Sequence, residues 1–453
     1  MPTRRSPETR SVDSEIVRLA VPAFLALVAE PLFLLGDAAV VGHLGTAELA
    51  GLGVASVVVR VVVGLCVFLA YGTTAAVARQ VGAGRRAEAL AQGVDGLWLA
   101  VLIGAVATAA GLVLTGPVVG LFDVGADVTA AATSYLRVAW WGVTPMLLAL
   151  AATGVLRGLH DTRTPLYVAV VANVVNLALN VALVYGLHLG IAGSALGTDL
   201  AQLGSGAVLS GVVVRLARRA GAPLRPDLAG VRRSAHAGGP LLVRTLSLQL
   251  SLVVMTWCAA GLGTTATATH QLASTVWTFL AYALDAVAIA AQAITGTALG
   301  AGDLARTRRS TDRMVRIGVV SGLLTGLLLA GTAPLLGPLF TDDAGVVSLL
   351  GRVLLVAALF QPVAGVVFVL DGVLIGAGDG RYLAAGGTLV TAVFVPVALL
   401  TVRLGPGGST GLLWLWTVFG LVFIGGRAAV LLRRARTDAW MVAGSEPARP
   451  AAH

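Results

Sequence analysis

LAVPAFLALVAEPLFLLGDAAVVGHLG, residues 19–45, points to a chain that crosses a membrane. It is an apolar run broken by two acids, Glu30 and Asp37, seven residues apart and so on roughly one helical face. The whole run, 16–41, exceeds the roughly 20 apolar residues that cross a bilayer. An ionised carboxylate at mid-membrane costs about 2.5–3.5 kcal/mol on insertion scales. A chain that keeps one there uses it to bind a cation or a proton, or faces it to a polar cavity. A carboxylate near the membrane boundary, satisfied by local hydrogen bonds, is the plainer alternative.

The rest of the chain extends this reading. Of 453 residues, 57% are hydrophobic and 12% charged, about half the charged share of a soluble domain, roughly 25%. Twelve long apolar runs are expected near 16–41, 52–79, 89–116, 128–157, 163–186 and 190–216, then 234–261, 268–299, 310–335, 345–376, 382–404 and 409–432. The first is too long for a signal-peptide core and is read as a retained helix. A formal charge of +9 could suggest nucleic acid. The arginines instead cluster between apolar runs with no interleaved aromatic stripe, so no nucleic-acid partner is expected. Cys66 and Cys258 give neither a disulfide framework nor a metal spacing, and no HExxH pair, Walker A motif or nucleophile motif is present. The chain is therefore read as no enzyme, without cofactor, driven by an ion gradient worth about 2.3 kcal/mol per charge per 100 mV.

Arginine bias sets the orientation. Arg79, Arg85 and Arg86, then Arg215, Arg218 and Arg219, and Arg306, Arg308 and Arg309 fall in even connections, which become cytoplasmic if the N-terminus is inside. Asp123, Asp127, Asp342 and Asp343 fall in odd ones. Both tails are then cytoplasmic in a multi-pass protein of the inner (plasma) membrane.

The two halves repeat. A shift of 218 carries Pro22 onto Pro240, Leu44-Gly45-Thr46 onto Leu262-Gly263-Thr264, Phe122 onto Phe340, and Gly154 and Gly158 onto Gly372 and Gly376. Six spans per half make the repeats parallel, related by a pseudo-two-fold axis along the membrane normal. The expected division is a tail over 1–14, a lobe over 15–218, a linker over 219–232, a second lobe over 233–436 and a tail over 437–453. Two matching bundles suit alternating access around a polar site.

Mid-membrane polar residues are few. In the first half they are Glu30, Asp37, Tyr135, Asn173, Asn176, Asn180, Thr198, Asp199 and Gln202. Asn173, Asn176 and Asn180 share one face of the fifth helix. If the first, fifth and sixth helices pack together, these groups could surround a cation or hold a protonated carboxyl. Interhelical hydrogen bonding, worth about 0.6 kcal/mol a pair, explains the asparagines equally well. In the second half Asp285, Gln292 and Asp371 stand in apolar sequence and could contact substrate or coupling ion, or cap an unwound turn. Pro22 and Pro31 flank Glu30 and can bend the helix that carries Asp37.

Five segments carry a resemblance across nearly the whole chain: 19–45 as quoted, GVLRGLHDTRTPL (154–166), NVVNLALNVALVYGLHLGIAGSALGT (173–198), TFLAYALDAVA (278–288) and VLDGVLIGAGDGR (369–381). Together they resemble the multidrug and toxic compound extrusion (MATE) family, in its DinF-like branch. The resemblance implies an all-α membrane fold of two six-helix lobes forming a V around a central cavity. It implies export of amphipathic, often cationic compounds in exchange for protons or sodium. Asp37 matches the family's first-helix carboxylate, Pro22 its helix-bending proline, Asn176 its fifth-helix asparagine, Tyr135 its fourth-helix tyrosine and Thr198 its sixth-helix threonine. Asp285 and Asp371 match second-lobe acids proposed for substrate or cation. Asn180 stands where the family commonly has Asp, and Gln292 where it often has Glu, so Asp199 or Glu30 is expected to substitute in part.

The expectation is a monomeric multidrug antiporter coupled to protons in preference to sodium, with Asp37 as coupling residue. A lipid-linked oligosaccharide flippase of a related superfamily is the second reading; it would call for a wide basic cavity, and mid-span arginines are few (Arg60 and Arg244).

Overall fold

The computed structural model describes residues 7–444, with side chains from position 13 onward, Glu30 excepted. The expected tails, 1–14 and 437–453, therefore lie partly outside the described residues, and so does the side chain of Glu30. In hydrocarbon the backbone must satisfy its own hydrogen bonds, which leaves the helix as the spanning element for such sequences. Among the described residues there are twelve spans: α1 (Pro7–Gly42), α2 (Thr46–Gly82), α3 (Arg86–Gly120), α4 (Ala126–Gly158), α5 (Arg163–Gly186), α6 (Gly190–Arg219), α7 (Leu228–Ala260), α8 (Thr264–Gly300), α9 (Leu304–Phe340), α10 (Ala344–Gly376), α11 (Gly380–Leu404) and α12 (Gly408–Ala435). The shortest, α5, has 24 residues, about 36 Å at ~1.5 Å per residue against a core of ~30 Å. Outward faces carry exposed Val113, Leu324 and Leu328, as a lipid-facing surface requires.

The repeat read in the sequence recurs in the backbone. Gly84 and Gly302, 218 residues apart, both have φ 74°, a left-handed turn that favours glycine. Asp161 starts α5 by accepting from the Thr164 N–H at 3.0 Å and its hydroxyl at 2.6 Å. Such a cap stabilises a helix by about 1 kcal/mol. The matching Asp379, before α11, accepts instead from Arg434 at 2.6 Å.

Helices α4 and α10 are the most buried spans. Small residues let their neighbours approach. A Cβ on Gly154 would lie 2.5 Å from the Ala70 carbonyl oxygen, and one on Gly158 2.9 Å from that of Thr74. At the matching places Gly372 and Gly376 lie against the carbonyls of Ala288 and Gln292. The same close contact thus joins α4 to α2 and α10 to α8. Because lipid tails are as apolar as leucine, such close backbone packing holds membrane helices together.

Two compact units result. One is Val21–Gly238; the other joins the described residues before Val21 to those from Gly239 on. The boundary falls inside α1 and α7, at points 218 residues apart and just ahead of Pro22 and Pro240. In the second unit the start of α1 is tied to α9: Arg313 donates to both oxygens of Asp13 at 2.6 Å, and Arg306 lies 3.6 Å from Glu15. In the first unit the connection leading into α7 folds onto α3, where the Asp227 N–H meets Asp95 at 3.4 Å and Trp98 donates to the Leu224 carbonyl at 3.1 Å.

Candidate functional site

Helix α5 grips α1 at three heights. The Asn173 amide donates to the Ala29 carbonyl at 2.8 Å, the Asn180 amide to Asp37 Oδ1 at 2.5 Å, and the Tyr185 hydroxyl to the Val40 carbonyl at 2.6 Å. The first two follow from the shared asparagine face. Tyr185 is placed by a π-helical turn over Ala182–Gly186, a distortion frequent at functional sites. The opposite face of α5 presents exposed Val171, Val174 and Val181.

Asp37 is 2% exposed. Its second oxygen accepts from the Thr198 hydroxyl of α6 at 3.2 Å, and that hydroxyl accepts in turn from the Asn176 amide at 3.1 Å. The carboxylate is thus met by donors from two helices, as an anion in a dry surrounding requires. Asn180 Oδ1 is buried without a hydrogen-bond partner. Tyr135 of α4, buried, adjoins Thr198 and stands within electrostatic reach of both Asp37 and Asp199. Asp199 itself is half-buried against Gly142 of α4. The structure therefore gathers Asp37, Asn176, Asn180, Thr198 and Tyr135 into one neighbourhood with Asp199 at its edge. Pro22 lies near the middle of α1, away from the cluster and within continuous helix.

The second unit has no copy of this cluster. Shifting by 218 replaces Asp37, Asn176, Asn180 and Thr198 with Met255, Phe394, Ala398 and Trp416. Phe394 and Trp416 belong to an aromatic assembly with Trp277, Phe419 and Phe423. His270 packs on Trp416 and pairs with Thr256 and Ser274.

The charged residues of this unit meet elsewhere. Asp371, on α10, is clasped by Arg244 of α7, whose Nε donates to Oδ1 at 3.2 Å and whose Nη2 donates to Oδ2. Arg427 of α12 donates to Oδ2 at 3.1 Å. Asp371 is thus held in an ion-paired cluster of three helices. Asp285 is half-buried on α8, and Gln292, two turns on, is buried. The sequence reading noted Arg244 only as a mid-span arginine and missed Arg427. The signal was present in GGRAAVLL, where a single arginine interrupts an apolar run. Among the described residues no group of His, Cys, Asp and Glu could hold a metal ion.

Comparison with known proteins places these features in context. A family profile described as MatE matches twice, at residues 22–182 and 240–400, an offset of 218 at both ends. The chain is 30% identical over 463 residues to Protein DETOXIFICATION 44, chloroplastic, of Arabidopsis thaliana, spanning 98% of this chain and 86% of that protein. It is 31% identical over 447 residues to DNA damage-inducible protein F of Escherichia coli K12, spanning 96% and 95%. The structure of the Vibrio cholerae MATE transporter VcmN in its bent form superposes with a TM-score of 0.85 at 23% identity, covering 95% of this chain and 98% of that one. This last likeness is one of fold.

Proposed function

Since the chain belongs to the MatE family, whose members are membrane transporters and not enzymes, we propose that it is a secondary antiporter that exports organic compounds across the plasma membrane in exchange for protons taken up at Asp37. A relative named for detoxification supports a xenobiotic cargo. Both termini are cytoplasmic in this reading, with 219–232 as the linker between lobes, and a single copy of the chain carries out alternating access.

The observation that carries the proposal is the buried Asp37 carboxylate held by Asn180 and Thr198. As an anion it needs donors, and it has them. Once protonated, its O–H becomes a donor and needs an acceptor. The Asn180 amide supplies one by turning about its last torsion, because its oxygen is buried without a partner. Leaving that oxygen unpaired costs about 1–3 kcal/mol, which the protonated state recovers. The cluster therefore has a hydrogen-bond arrangement for each protonation state, and the two arrangements pull differently on α1, α5 and α6. This favours a proton over sodium. A bare hard cation calls for several converging oxygens at once, whereas a proton on Asp37 needs only the one acceptor that the Asn180 oxygen supplies.

The test is Asp37→Asn in cells challenged with a panel of dyes. The variant inserts in normal amount and loses gradient-driven efflux. Efflux equal to that of the unaltered protein would remove the mechanism.

A further inference from the structure

Helices α7 and α8 carry hydrogen-bonding side chains on exposed faces within their spans. On α8, Gln271, Thr275 and Thr278 are exposed, and their spacing of i, i+4 and i+7 puts them on one side of the helix. The same side continues to half-buried Asp285, about 21 Å from Gln271 along the axis. On α7, Gln249 and Thr256 are exposed and share one face. Thr256 pairs with His270 of α8 at 3.2 Å, so the two faces meet there. Exposed faces that serve lipid look different: on α9, Val320, Leu323, Leu324, Leu327 and Leu328 stand outward. Polar groups are costly against hydrocarbon, so a polar face exposed at this depth lines water.

The repeat does not require this face. Shifting back by 218 gives Pro31, Gly53 and Val57 in place of Gln249, Gln271 and Thr275, and Arg60 in place of Thr278. The first unit therefore presents no side-chain acceptor at these places. In the second unit acceptors are plentiful. Thr275 donates its hydroxyl proton to the Gln271 carbonyl at 3.0 Å, and Thr278 to the Ser274 carbonyl at 2.8 Å. A hydroxyl has one proton and two lone pairs, so both oxygens are left to accept from outside the helix. The glutamine amides add carbonyl oxygens as well as N–H groups. Asp285 is the only Asp, Glu, Lys or Arg from Thr245 to Gly300, so the charge beside this face favours a cation. Phe279, exposed next to Thr278, offers an apolar surface for a ring. Acceptors grouped above one carboxylate match a cation that carries N–H groups.

We propose that Gln271, Thr275 and Thr278 select cargo by accepting hydrogen bonds from it, so that organic cations bearing N–H groups are taken in preference to cations of similar size that lack them. The inference deepens the export reading by naming the cargo class, and rests on that reading in taking the bound molecule as cargo.

The test is equilibrium binding without any gradient, so a failure of coupling at Asp37 would appear in transport and not here. The full-length protein in nanodiscs of zwitterionic lipid is titrated with rhodamine 6G, whose ethylamino groups each carry an N–H. It is titrated separately with tetramethylrhodamine ethyl ester, a cation of the same charge and similar size whose nitrogens carry none. Anisotropy is read against empty nanodiscs. The unaltered protein binds rhodamine 6G the more tightly. Thr275→Val with Thr278→Val keeps the shape and removes both hydroxyls; it weakens rhodamine 6G roughly tenfold, as the loss of a pair of neutral hydrogen bonds does, and leaves the tetramethyl dye within about twofold. Gln271→Leu, at an exposed position, weakens rhodamine 6G alone and serves where the valine pair does not fold. Thr275→Ser with Thr278→Ser keeps the hydroxyls and the preference; loss of the preference there would trace it to shape and overturn the proposal. Equal affinities of the unaltered protein for the two dyes would overturn it too, as would a valine pair that loses both dyes alike or neither. Binding of neither dye would overturn the cargo reading along with it.

Discussion

Removing the amide that meets Asp37 tests the site at its tightest contact. Asn180→Leu keeps the volume of the side chain and deletes the 2.5 Å bond to Asp37 Oδ1. Both residues are buried, at 0% and 2% exposure, so water does not replace the lost donor. A hydrogen bond to a charged group contributes about 1.5–3 kcal/mol, whereas a neutral interhelical pair in a membrane averages about 0.6 kcal/mol. Neutral pairs reach at most about 2 kcal/mol, so a coupling above about 2 kcal/mol reports the charge on Asp37 in this state. Asn180→Leu, Asp37→Leu and the double variant form a thermodynamic cycle, read by denaturant titration of the folded protein in mixed micelles. The expected coupling is about 1.5–3 kcal/mol. A value under about 0.5 kcal/mol, the scatter of independent sites, would mean that the two side chains do not hold each other and that the hydrogen-bond account of the cluster is wrong.

Other consequences can be checked separately. Gly372→Ala forces a methyl against the Ala288 carbonyl and destabilises the fold by roughly 1–3 kcal/mol; Gly331→Ala, which meets nothing within 4 Å, changes the unfolding midpoint little. Cys66 and Cys258 are buried and give little background to a membrane-impermeant maleimide. A cysteine replacing Leu121, 83% exposed, is then labelled on intact cells, whereas one replacing Arg86 is labelled only after permeabilisation; the reverse pattern would invert the proposed orientation. Asp13→Asn removes the partner of Arg313, and because the pair is partly exposed the loss of stability stays near 0.2–1 kcal/mol, roughly the worth of a surface ion pair.

The fold was legible because lipid simplifies the rules. Only a helix satisfies its backbone there, so length and apolarity placed all twelve spans, and one constant shift revealed the repeat through Pro22, Gly154 and Gly158 and their partners. The spacing of Asn173, Asn176 and Asn180 announced a common face, but not that each would reach a different target. That required the register of α1 and α6 against α5, which no local pattern encodes; the Tyr185 contact needed the π-helical turn as well. Arg427 was overlooked because a single arginine near a helix end reads as a membrane anchor. Its pairing with Asp371, 56 residues away, is a property of how α10 and α12 pack. Asp371 looked isolated in the chain for the same reason.

In the proposed mechanism a proton held at Asp37 drives export. Its most direct measurement is internal pH in proteoliposomes holding the purified protein, preloaded with a transported dye and given an imposed sodium or proton gradient. Proton movement opposite to the dye is expected, absent with Asp37→Asn and indifferent to sodium. Dye movement driven by sodium alone, or proton movement that persists in the Asp37→Asn protein, would contradict it.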